Sequence, residues 1–303
     1  MSDMKHITIF PENKLRSYIQ YYWIAKDNSG EHLQISMADG FTCIRFFRGG
    51  EQTFLPEINT AGINKDKSIS AKSGILGPRI SCYGLMTHNK IETIGVKFTM
   101  LGAKQIFGEN ICYLSDKFTT LSDYNDKSLN SLENNILNTP SLQNCISYMD
   151  DYFWERLKSS NFIDNNDNII KKILEYSITS AKLSDLANVA CCSVRTLNRV
   201  IDTYTGLTPK QIIRIARLST TIKKVIEYTP IKDIDLKGLA TDCGFYDLSH
   251  MTKEMKALCG YTPLQFITII KKHLKENNIW SYQQGDTTIW GKVQESIFNW
   301  CKN

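Results

Sequence analysis

The 303-residue sequence contains no CxxC pair, and its nine cysteines are scattered and odd in number. That argues against a disulfide framework and a thiol-based zinc site, and points to reduced, mostly buried cysteines. No apolar run approaches the roughly 18 residues that a membrane span needs. The start, MSDMKHITIF, has no signal-peptide apolar core. A cytoplasmic location with no membrane partner is the expectation. Also missing are low-complexity tracts, a phosphate-binding glycine loop, an HExxH pair, a nucleophile elbow and a Pro-Cys-His setting for a reactive cysteine. The five histidines show no metal-ligand spacing. Neither a catalytic centre nor a cofactor is expected.

Composition is that of a globular protein, 42% hydrophobic and 22% charged, with room for two cores. The net charge of +5 is unevenly divided: −2 over residues 1–167, +5 over 168–270 and +2 over 271–303. The basic excess thus lies in the later part, as suits a polyanionic partner.

The first third mixes β-branched and aromatic residues with glycine and proline punctuation, the texture of strands and turns. Within Ile91 to Thr99, residues Ile94, Val96 and Phe98 alternate with Gly95 and Lys97, predicting a half-buried strand. Near the start, Asn13 is placed to cap a short helix carrying Leu15, Tyr18 and Ile19. From about Leu121 the spacing becomes helical, with Leu142, Ile146, Met149, Phe153 and Leu157 on one face. Residues 159–168 are polar and apolar-poor and read as a linker. The expected division is an N-terminal domain over 1–158, an all-helical domain over 169–274 and a tail over 275–303. In the tail, Ile289, Trp290, Val293, Ile297 and Trp300 share a face, read as a helix packing back on the body. A partner- or dimer-forming helix is the alternative.

The later part contains an internal repeat. Leu183, Leu186 and Ala187 fall 53 residues before Leu236, Leu239 and Ala240. Leu197, Gly206, Thr208 and Pro209 fall 54 before Met251, Gly260, Thr262 and Pro263. Each copy reads as helix, tight turn, helix, the pattern of a helix-turn-helix whose second helix enters a DNA groove. Pro209 opens a long connecting helix to about Tyr228. In the first copy, Ser193 is placed as N-cap; Leu197, Val200, Ile201 and Tyr204 turn inward while Arg195, Asn198, Arg199 and Asp202 face out. Arginine can bond guanine, and asparagine adenine, through two hydrogen bonds each. In the second copy, Met251, Met255 and Leu258 turn inward, and Ser249, Thr252, Lys253 and Lys256 face away. That face is poorer in arginine and suits phosphate contact more than base reading. A solvated polar face is the bland account of both helices. Cys191 and Cys192, in the first turn, are expected to be buried, and His250 to be structural or phosphate-bonding. Arg45, Arg48, Arg79 and His88 lie among the predicted strands; the preferred reading is surface residues on strands, with an anionic ligand second.

The segment LATDCGFYDLSHMTKEMKALCGYTPLQF resembles the hallmark of AraC/XylS transcription regulators. The matching features are Leu239-Ala240, Gly244-Phe245, Ser249-His250, Lys256, Gly260 and Thr262-Pro263. Upstream, LSDLANVACCSVRTLNRV and GLTPKQIIRIARL resemble the family's first helix-turn-helix and its connecting helix. The resemblance implies an α+β chain: a β-rich, sensor-like N-terminal domain with helices, then an all-α domain of two helix-turn-helix units joined by a long helix. It implies a sequence-specific regulator, read here as an activator, whose two recognition helices enter major-groove segments about 34 Å apart. The base-reading positions carried over are Arg195, Thr196, Asn198 and Arg199 in the first unit, and Leu248, Ser249, Thr252 and Lys253 in the second. Leu248 departs from the polar amide common at its position and offers at most contact with a thymine methyl. Val200 and Met255 replace bulky aromatics. The implied partners are double-stranded promoter DNA and, beyond it, a small-molecule effector, RNA polymerase and a second copy of the chain. A looser resemblance of the N-terminal part to AraC-type sensor domains rests on Tyr21-Tyr22-Trp23, Gly77-Pro78-Arg79, the GVKF strand and GAKQIFGE. The alternative is a DNA-binding module fused to an enzymatic or alkyl-transfer domain.

Overall fold

The computed structural model describes residues 5–27, 32–36, 38–56, 58–59, 62–63, 68–70, 72–160, 166–175, 182–229 and 233–275. Residues 161–165 of the linker and the tail with Trp280, Trp290 and Trp300 lie outside the described residues. The strands are β1 (Lys5–Ile9), β2 (Ile19–Asp27), β3 (His32–Ser36), β4 (Cys43–Phe47), β5 (Gln52–Leu55), β6 (Ile58–Asn59), β7 (Gly62–Ile63), β8 (Ile69–Ser70), β9 (Gly74–Leu76), β10 (Tyr83–Thr87), β11 (Ile91–Phe98) and β12 (Phe118–Thr120). The helices are α1 (Met100–Phe107), α2 (Ile111–Leu114), α3 (Leu121–Tyr124), α4 (Lys127–Asn138), α5 (Leu142–Ser159), α6 (Asp167–Glu175), α7 (Leu183–Val189), α8 (Val194–Thr205), α9 (Pro209–Tyr228), α10 (Leu236–Asp242), α11 (Leu248–Cys259) and α12 (Pro263–Lys275). The chain is α+β, a β-rich N-terminal part followed by helices. No helix among the described residues is long and apolar enough to cross a membrane.

One sheet has the order β1-β2-β11-β4-β9-β12 and a second the order β3-β10-β5-β8; β6 and β7 pair by themselves. Alternation along the strands sorts side chains between two interiors. Tyr22, Ile24, Ile44, Phe46, Ile94, Val96 and Phe98 point one way into a core closed by Ala103, Ile106 and Phe107 of α1, Leu129, Leu132 and Ile136 of α4, and Met149 and Phe153 of α5. Asp126 and Ser141 cap α4 and α5 with their side-chain oxygens, which fixes where each helix starts. On the other face of the same sheet, Cys43, Leu76 and Phe118 meet Phe54, Tyr83 and Leu85 of the second sheet.

Two local expectations fail here. Strand β11 is not half-buried: Lys97 is only 3% exposed. The Phe41 and Tyr21 rings lie 5.3 and 5.9 Å from the Lys97 ammonium, and Asp39 lies 2.7 Å from it, which meets the charge that burial would otherwise leave unpaired. Asn13 is not a cap either. Residues Asn13–Leu15 form a single 3-10 turn whose N-cap position is Glu12, with no side-chain cap bond, and Ile19 already begins β2. Three residues are too few for the helical face predicted from Leu15, Tyr18 and Ile19.

The helices after residue 166 include the two repeat units. Leu186 and Ala187 of α7 pack with Leu197, Val200, Ile201 and Tyr204 of α8. Leu239 and Ala240 of α10 pack with Met251, Met255 and Leu258 of α11. Helix α9 contributes to both clusters, Ile212, Ile213, Ile215 and Ala216 to the first and Leu218, Ile222 and Val225 to the second. Its start is set by Thr208 and Gln211, which bond each other's backbone N–H, with Pro209 as first helical residue. The first cluster also holds Ala38, Phe41, Met100 and Leu101, and the second holds Cys82. Both units therefore pack against the β-rich part.

Candidate nucleic-acid interface

The turns of the two units can be aligned atom by atom. The Cys192 N–H donates to the Ala187 carbonyl at 3.0 Å, and 53 residues later the Phe245 N–H donates to the Ala240 carbonyl at 2.9 Å. Cys191 has φ +54° and Gly244 has φ +75°, so both turns need a left-handed residue at the same place. One residue on, the copies fall out of step. Ser193 caps α8 by accepting from the Thr196 N–H; its counterpart Asp247, 54 residues later, caps α11 by accepting from the His250 N–H. The extra residue is Tyr246, which stands 91% exposed beside the start of α11. Its N–H donates to Nδ1 of His250 at 3.2 Å, and the His250 ring meets Phe245 edge-on at 5.4 Å. His250 thus has a structural part, holding the inserted residue.

Past the caps, each helix presents its first turns outward. On α8, Arg195, Asn198 and Arg199 are exposed and Thr196 is half-buried, its hydroxyl 3.0 Å from that of Ser193. The Asn198 amide donates to the Val194 carbonyl at 2.8 Å, and Arg199 donates to Asn166 Oδ1 at 3.3 Å. On α11, Ser249 and Lys253 are exposed, whereas Thr252 is half-buried and donates to the Leu248 carbonyl at 2.8 Å. Leu248 packs against the apolar cluster under α11. The eight predicted residues thus form two groups, one at the start of each second helix. A 2.6 Å ion pair from Arg214 to Glu254 ties α11 to α9, and the Arg217 guanidinium lies 5.3 Å from the Phe245 ring centre.

Cys191 departs from the expected burial. It is exposed, and Cys192 only half-buried, because the left-handed backbone at Cys191 turns its side chain out of the core. In the sequence, the only sign of Tyr246 is the change of repeat offset from 53 to 54, which marks an insertion there.

The far ends of α8 and α11 rest on the N-terminal part. A Cβ built on Gly206, the C-cap of α8, would lie 2.8 Å from Cβ of Ser115 and 3.1 Å from the Cys112 backbone. The Cys112 thiol is 3.4 Å from the Asp202 carbonyl. A Cβ on Gly260, the C-cap of α11, would lie 3.6 Å from the Cys82 sulfur. At the junction, Asp167 accepts from Gln105 of α1 at 3.3 Å and from the Tyr204 hydroxyl of α8.

Residues 186–268 match a family model described as a helix-turn-helix domain, and residues 7–120 match one described as a domain of unknown function (DUF6597). No curated protein matches the chain. Among solved structures, ToxT from Vibrio cholerae (P21 form) is similar at 13% identity, over 88% of this chain and 97% of that one, with a TM-score of 0.41. ToxT from Vibrio cholerae O395 bound to (E)-4-(8-methylnaphthalen-1-yl)but-3-enoic acid gives 12% identity, 89% and 98% coverage, and a TM-score of 0.42. Wild-type ToxT from strain SCE256 with bound unsaturated fatty acid gives 14% identity, 88% and 94% coverage, and a TM-score of 0.40. A likeness at that level bears no weight on the ligand of this chain.

Proposed function

We propose that this chain, a DNA-binding regulator whose residues 186–268 are an AraC-type helix-turn-helix domain, activates transcription by setting α8 and α11 into successive major-groove segments of promoter DNA. Arg195, Asn198 and Arg199 read base edges, with Thr196 beside them. Ser249, Thr252 and Lys253 bond phosphates and fix the register, and Leu248 touches at most a thymine methyl. Tyr246 lies against the sugar-phosphate backbone next to α11. The domain division is 1–158 for effector sensing or dimerisation and 169–274 for DNA, with RNA polymerase the partner that activation requires. The observation that carries this reading is the pair of capped helices, each with polar side chains on its first exposed turns, held on one helix, α9.

The test is selection of bound duplexes from a random library by the full chain. The expected result is an enriched motif with two conserved segments about one helical turn, 10–10.5 bp, apart. Affinity should fall steeply with salt. Enrichment of no motif, together with weak, sequence-blind binding, would defeat the proposal.

A further inference from the structure

The eight described cysteines are all reduced, and among them only Cys191 is exposed. Cys82, Cys145, Cys243 and Cys259 are buried. The Cys112 thiol lies 3.4 and 3.7 Å from the Asp202 and Thr203 carbonyls, and burial pushes the Cys43 thiol up to about 12. Cys191 is followed directly by the half-buried Cys192, so the turn of the first unit carries two neighbouring thiols. The second unit places glycine at the left-handed position, which has no Cβ to strain; the first unit places a cysteine there, at φ +54°. That backbone lifts the Cys191 side chain off the core, its sulfur 3.7 Å from the Val189 carbonyl, while the Cys192 N–H stays bonded to Ala187. Ser193, the N-cap of α8, comes next in the chain.

Adjacent thiols join either to each other or through one atom held between them. Consecutive α-carbons are about 3.8 Å apart, below the span of about 4.4–6.8 Å usual for a disulfide, so a direct bond would strain the turn. A bridging atom enlarges the ring and relieves that strain. Oxidation and alkylation also proceed through the thiolate. Burial pushes the Cys192 thiol up, and the Cys191 thiol beside it adds to this, against the opposing Lys172 ammonium of α6. Exchange at a soft, hydroxylated centre needs no thiolate, because the leaving hydroxide takes the thiol proton. A structural zinc ion asks for four ligands. No group of three or more His, Cys, Asp or Glu among the described residues is placed to hold a metal. A trivalent arsenic with one organic substituent asks for two sulfurs.

We propose that Cys191 and Cys192 form a two-thiol site for arsonous acids, in which a trivalent arsenic carries one organic group and two hydroxyls, and that occupation of the site weakens DNA binding by α8. Two As–S bonds form and two As–O bonds break. Each hydroxide leaves as water with one thiol proton; arsenic stays trivalent, and nothing is oxidised or reduced. The ring closes over the two residues that precede Ser193, so it pulls on the turn that sets where α8 begins. The effect on DNA rests on α8 being a recognition helix, whereas the thiol site does not.

The experiment treats the full chain with one equivalent of phenylarsine oxide and maps the adduct by intact-protein and peptide mass spectrometry. One adduct per chain is expected, bridging Cys191 and Cys192. It should survive excess mercaptoethanol, a single thiol, and reverse with dimercaptopropanol, a paired one. Cys191→Ser and Cys192→Ser each keep one thiol and should release the arsenical to mercaptoethanol. On a duplex bound by the unmodified chain, the adduct should weaken binding roughly 2- to 30-fold, the worth of a helix cap, and dimercaptopropanol should restore it. An adduct confined to other cysteines, or one that mercaptoethanol strips from the parent as readily as from the variants, overturns the site. If a variant does not fold, survival of the parent adduct in mercaptoethanol still decides. Unchanged DNA affinity of the bridged chain overturns the effect on α8. Failure of the unmodified chain to bind any DNA counts against the regulator reading instead, and the mass measurement decides the thiol site without it.

Discussion

Cys191 occupies a left-handed backbone position that the second unit gives to Gly244. For a residue with a Cβ that conformation costs about 1–2 kcal/mol. Glycine loses about 0.5–1 kcal/mol more to unfolded-state freedom, so strain wins narrowly. Cys191→Gly should stabilise the chain by about 0.5–1 kcal/mol in urea denaturation; a lower midpoint would refute the strain account. Asp150 of α5 accepts a 2.8 Å hydrogen bond from Tyr22 of β2. Burial raises its pKa, and the bond from Tyr22 only partly opposes this. The folded state therefore holds the proton more tightly than the unfolded one. Stability from this site is complete below the unfolded pKa and declines as pH rises through the higher folded value. Asp150→Asn should flatten the stability profile above the ordinary carboxylate range, and an unchanged slope would count against it. Arg199→Ala should weaken specific DNA binding by about 1–3 kcal/mol and relax preference at one base pair. Gel-shift titrations on duplexes varied at that position are the check. The outward faces of Arg195, Asn198 and Arg199 could be read from helical periodicity. The burial of Arg45 and Arg79, expected at the surface, could not, because a residue's burial among strands depends on whether another layer covers its face.

Among the elements, α8 and α9 were readable because their ends are chemical: Ser193 and Thr208 cap them, Pro209 opens α9 and Gly206 closes α8. Helix α1 was not. All eight of its residues, Lys104 and Gln105 included, are buried, so it has no polar stripe and no helical periodicity to detect. It is nonetheless the helix that, with α2, seats α8. That seat yields a ranking. Gly206→Ala adds a collision with Ser115 and Cys112 to the left-handed strain at φ +67°, whereas Gly260→Ala meets only ordinary contact with Cys82 at φ +80°. The first should cost about 2–3 kcal/mol and the second about 1 kcal/mol in chemical denaturation; the reverse order would show that α2 does not limit α8. On α11, Lys253→Ala should lower the salt slope of DNA binding by about one contact without changing sequence preference.

For the whole molecule, the linker expectation suggested two bodies on a tether, but the first helix-turn-helix shares its apolar cluster with Ala38, Phe41, Met100 and Leu101. Residues 166–275 alone should still bind DNA at low salt yet melt below the full chain, because those four residues leave the cluster. Equal melting temperatures would mean that the shared packing contributes nothing. The sequence by itself determined the helical repeat, its connecting helix, the two outward polar faces and the strand texture of the first third, since each follows from local spacing, caps and turn residues. Tertiary structure alone decided that both faces of β11 are covered, that Arg45 is buried, and that α8 ends on α2. The physical reason is distance along the chain. Cys112 and Asp202, or Tyr22 and Asp150, lie 90 and 128 residues apart. No period or motif links such pairs; only the folded sheets and helices bring them within hydrogen-bond reach.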